Sequence, residues 1–72
     1  MTLATNTPAT TPAPLRHAQT LLAAAQAQGR PQPMVTALTE LARAWADEAA
    51  FGTAEAHLEE ALRWSALLPG VD

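Results

Sequence analysis

Three runs of apolar residues at helical spacing, each rich in alanine and each closed by glycine or proline, limit this chain to short helices in close contact. Leu15, Ala18, Leu22 and Ala25 form the first run, widened by Leu21. Leu38, Leu41, Ala42, Trp45 and Ala49 form the second, and Ala54, Leu58, Ala61, Leu62 and Ser65 the third, flanked by Trp64 and Leu68. None of them alternates with the period of two that a half-buried strand requires. An all-α fold follows.

The breaks set the expected boundaries. Pro14 suits a first helical turn, and Gly29 suits the residue just past a helix end, with Arg30, Pro31 and Pro33 after it. Gly52-Thr53 interrupts the later apolar pattern, with Thr53 placed as an N-cap, and Pro69-Gly70 closes the last run. Helices are expected over about 14–28, 34–50 and 54–68, antiparallel to one another, in a single domain spanning 14–70. Residues 1–13 are mostly Thr, Ala and Pro, with too little apolar surface to offset the entropy of ordering, and read as a disordered tail.

Alanine also limits stability. Of the hydrophobic 49% of the 72 residues, about half are alanines, and the chain has one Phe, two Trp, no Tyr and no Ile. A chain of this size draws no more than about 3–5 kcal/mol from its own core without disulfides, metal or association. Cysteine is absent, so the first of these is excluded. Completion by a partner or a second copy is the expected remedy.

Charge and motif content exclude several functions. The formal net charge is −3 with four basic residues, all arginine, and no basic cluster to track a phosphate backbone. Read as a helix-turn-helix, the second and third helices would lead a recognition helix with Glu55, Glu59 and Glu60, the wrong sign for DNA. The uncharged stretch 18–29 is too short and too rich in Gln to span a bilayer, and no secretory leader pattern is seen. A cytoplasmic protein is expected, without nucleic-acid or membrane partners. His17 and His57 are the only imidazoles, and Glu55 and Glu60 near His57 supply one side of a metal site at most. Ser65 is the sole serine, and neither a nucleophile elbow nor a glycine-rich phosphate loop occurs. No enzyme, cofactor or metal is expected.

The order Leu38, Leu41, Ala42, Trp45, Phe51, Ala54, Leu58, Ala61, Leu62 resembles the tetratricopeptide repeat (TPR), a helix–turn–helix unit of about 34 residues. In that family, small residues let paired helices approach while bulky ones fill the space beside them. The resemblance covers about half the chain. An offset of 36 residues places Ala18 on Ala54, Leu22 on Leu58 and Ala25 on Ala61, so the first helix reads either as the second half of a degenerate repeat or as an unrelated amphipathic helix. Two departures stand out: Ala49-Ala50 occupies the turn where the family usually has Gly, and the proline usually found after the second helix appears at Pro69 rather than at Ala66.

The resemblance implies a TPR-like array that binds protein along the exposed face of its first helix: Thr36, Thr39, Arg43, Ala46 and Asp47. The Lys/Asn set with which some family members clamp a carboxylate is missing from this row, where Arg43 is the only cation. A lone hairpin leaves faces uncovered. Leu21, Trp64, Leu67 and Leu68 are therefore the expected association surface, with Leu15 a further candidate. The expected function is a non-enzymatic interaction module, adaptor or small chaperone in type, that forms a homodimer or docks a helical partner. The alternatives are a purely structural helical-bundle dimer and a small metal- or DNA-binding regulator.

Overall fold

A computed structural model of the chain describes residues 11–68. The expected tail lies largely outside the described residues, as do Pro69 and Gly70. Three helices account for most of the described chain: α1 (Ala13–Gln28), α2 (Pro31–Asp47) and α3 (Phe51–Ser65). Among the described residues there is no strand. The fold is all-α.

The ends of α1 fall where its punctuation places them. Pro14 sits in the first turn, where backbone N–H groups have no helical acceptor to lose. Gly29 adopts the left-handed conformation (φ 68°) and its amide donates to the Ala25 carbonyl at 2.9 Å.

Both later helices start and finish three residues before the expected bounds, 31–47 instead of 34–50 and 51–65 instead of 54–68. At the start of α2 the cause is that a proline breaks a helix only where its missing N–H is needed. Pro31 and Pro33 both occupy the first turn, and the Met34 amide makes the bond back to the Arg30 carbonyl. Arg30, preceding a proline, is extended (φ −106°, ψ 144°).

The end of α2 is set by a residue that gives no obvious stop signal. Ala49 takes the left-handed conformation (φ 62°). Its amide reaches the Ala46 carbonyl at 2.9 Å and the next amide, Ala50, reaches Trp45 at 2.9 Å. These paired bonds are a Schellman closure, which usually has glycine at the left-handed position. Ala50 then serves as N-cap of α3 without a side-chain cap bond, so Gly52 and Thr53 lie inside the helix and Thr53 is not its cap.

Packing follows the short connections, which reverse the chain twice. Leu15 and Ala18, early in α1, cluster with Leu41 and Ala44, late in α2. Ala25, late in α1, clusters with Met34, Ala37 and Leu38, early in α2, and with Ala61 of α3. α2 therefore lies between its neighbours, packed on both, and the backbones of α1 and α3 stay apart.

The buried set is Leu15, Ala18, Ala25, Met34, Ala37, Leu38, Leu41, Ala42, Ala44, Ala54 and Ala61, of which seven are alanines. Short methyl side chains at the contact let helices approach closely, but each buries little area. Among the described residues Leu38, at 1% exposure, is the one large side chain that is fully enclosed. Trp45 rests half-buried on the Leu15/Leu41 cluster, and Trp64 half-buried on the Ala25/Leu38 cluster.

Candidate interaction surface

Large apolar side chains stand outside this core on one helix. Phe51, Leu58 and Leu62 are 66%, 46% and 68% exposed. Their spacing of seven and then four residues places them in one row along α3, beside the row of Ala54 and Ala61 that packs on α2. The stripe was expected to bury Leu58 and Leu62; the structure buries its alanines and leaves its leucines at the edge. The reason is geometric. Close approach is made by the two methyl groups, and among the described residues no fourth helix stands on the other side to cover the larger neighbours.

The exposed row borders a groove between α3 and α2. One cavity of about 330 Å³ is lined by Val35 and Thr39 from α2 and by Leu58, Ala61, Leu62 and Ser65 from α3. A second, of about 320 Å³, continues it past Ala42, Arg43 and Ala46 to Ala54. Thr39 and Leu58 line both, so the two depressions adjoin along the α2–α3 seam.

The two hydroxyls in this groove are each bonded within their own helix. The Thr39 hydroxyl donates to the Val35 carbonyl at 2.7 Å, which uses its hydrogen within α2 and leaves its methyl group beside the groove. The Ser65 hydroxyl likewise donates to the Leu62 carbonyl at 2.8 Å. Arg43 is the only charged residue lining the groove, and Glu55, Glu59 and Arg63 are exposed along α3. The surface is apolar in the middle and charged at its edges.

The row expected to bind a partner does not share one depression. Thr39 and Arg43 line the α2–α3 groove, whereas Thr36 lines a separate cavity of about 290 Å³ between α1 and α2. Asp47 is exposed at the last position of α2 and lines neither. Of the expected association residues, Leu21 and Trp64 pack partly on the core, Leu67 is 64% exposed just after α3, and Leu68 is half-buried.

The resemblance set Phe51 just before the third helix; the structure makes it the first residue of α3, 66% exposed, and the sequence reading missed it as a surface residue. A hydrophobic pattern marks the apolar side of a helix, and it does not say which part of that side a neighbour reaches. His17 is exposed and His57 half-buried, and among the described residues no three His, Asp or Glu side chains gather as a metal site. Among the same residues no helix is long and apolar enough to cross a membrane. No family model, no curated protein and no solved structure matches the chain.

Proposed function

We propose that the chain is a non-enzymatic protein-interaction module, adaptor or small chaperone in type, whose working surface is the α2–α3 groove with the Phe51/Leu58/Leu62 row. The supporting observation is three large apolar side chains left in water directly beside a groove with apolar walls. Contiguous exposed apolar surface of this kind marks binding sites on otherwise ordinary small proteins. An amphipathic helix fits such a groove, with leucine-sized anchors at helical spacing.

The layout is TPR-like in this reading. Support comes from the serial order of α1, α2 and α3, in which the backbones of α1 and α3 stay apart, and from burial of Leu38, Leu41, Ala42, Ala54 and Ala61. Exposure of Phe51, Leu58 and Leu62 is the departure, and it coincides with the proposed working surface.

The test is affinity capture from the native cell together with light scattering, comparing the wild-type chain with Leu58→Glu and with an α1 surface control, Gln19→Glu. Association of either kind, with itself or with another protein, is expected in the wild type and the control and lost in Leu58→Glu. A wild-type chain that associates with nothing, or a Leu58→Glu chain that associates unchanged, overturns the proposal.

A further inference from the structure

Resting on the interaction reading above, we infer that the occupant of the α2–α3 groove is α3 of a second copy, laid antiparallel, so that Leu58 of each chain meets the partner's Leu62.

A two-fold interface uses the same patch on both chains, so the patch must fit its own reversed image. This one has projections and hollows side by side. Leu58 and Leu62 stand out from α3, 46% and 68% exposed, while the adjoining wall of α2 presents the small side chains Ala42 and Ala46 beside Thr39. Turned about a two-fold axis, the leucine row of each copy faces the groove of the other.

Charge selects the orientation. Along the outer flank of α3 the charges run Glu55, Glu59, then Arg63, all exposed. A parallel, in-register pairing would stack Glu55 on the partner's Glu55 at the edge of an apolar seam, where like charges repel most strongly. In the register that joins Leu58 to the partner's Leu62, reversal sets Arg63 level with the partner's His57 and two residues from both its Glu55 and its Glu59, which lie on the same flank. The same register places Glu55 across from the partner's Ser65, a small neutral residue. Opposed helix dipoles favour the reversed arrangement as well. A foreign helix would have to supply this reversed charge order independently, whereas a second copy carries it already.

The experiment uses the full chain, followed by sedimentation over a micromolar concentration series with helicity monitored by circular dichroism. The wild type is expected as a dimer, and Leu62→Glu as a helical single chain whose dissociation constant rises at least about tenfold. Glu59→Arg and Arg63→Glu should each weaken the dimer, and the double exchange Glu59→Arg/Arg63→Glu should restore pairing in part, since Glu55 still faces position 63 of the partner. These sites are exposed, so they keep the test decisive if Leu62→Glu fails to fold. Cysteine is absent from the natural sequence, which allows orientation to be trapped directly. A Leu58→Cys chain mixed with a Leu62→Cys chain should oxidise to the mixed disulfide in preference to either like pair.

Preferential Leu58→Cys self-linkage, or a double exchange that restores no pairing, overturns the antiparallel dimer. A wild type that stays monomeric also overturns it. If that monomer still captures a cellular protein and loses it on Leu58→Glu, the interaction reading survives alone. If it captures nothing, both fail.

Discussion

The Ala50 amide donates to the Trp45 carbonyl at 2.9 Å, closing α2 through a left-handed Ala49 (φ 62°). A left-handed conformation costs an L-residue about 1–2 kcal/mol, and glycine escapes that cost. Glycine gives back part of the gain, because it has about 0.5–1 kcal/mol more chain entropy to lose on folding. Ala49→Gly is therefore expected to stabilise the fold by up to about 1 kcal/mol. Urea unfolding would measure it, and a lowered midpoint would show that the turn is not strained.

Leu38 should be the least replaceable side chain. It is 1% exposed and lies in the cluster that joins α1, α2 and α3. Leu38→Ala is expected to cost about 2–5 kcal/mol through lost burial and the cavity left behind. That is comparable to the entire stability of a core this small, about 3–5 kcal/mol. Circular dichroism should show a largely unfolded chain, and a cooperative melt near that of the wild type would contradict the assignment.

The alanine contacts predict the opposite kind of failure. Ala37 is 1% exposed in the cluster where α1 meets α2. Ala37→Leu adds apolar volume, yet it is expected to destabilise by about 1–3 kcal/mol because the helices must separate to admit it. A raised unfolding midpoint would mean that the contact is looser than described.

Leu62 should separate folding from association. At 68% exposure it contributes little to the single chain, so Leu62→Glu should shift stability by less than about 0.5 kcal/mol when measured in dilute solution. A large loss of stability at dilution would place Leu62 in the chain's own core.

Much of the fold was legible before any coordinates. Leu15, Ala18 and Ala25, Leu38, Leu41 and Ala42, and Ala54 with Ala61 follow helical spacing, and all are buried. Met34, Ala37 and Ala44 escaped notice because α2 is covered on two sides, and a single amphipathic stripe describes a helix with one neighbour. The helix bounds slipped for local reasons. First-turn prolines forfeit no hydrogen bond, and an alanine held left-handed looks in the sequence like any other alanine. The candidate surface was half legible: Thr39 and Arg43 do line a groove, but the groove's other wall was read as interior. Spacing alone cannot distinguish the part of an apolar side that a neighbour touches from the part that it leaves bare.

The middle position of α2 has a consequence for how such a chain tolerates sequence change. A substitution in α2 disturbs two seams at once, since both other helices lean on it. Among the described residues the outer side of α3 supports no other helix. Variation should therefore accumulate there first, and a descendant with altered binding preferences could arise by changing Phe51, Glu55, Glu59 or Arg63 while its scaffold stays as it is.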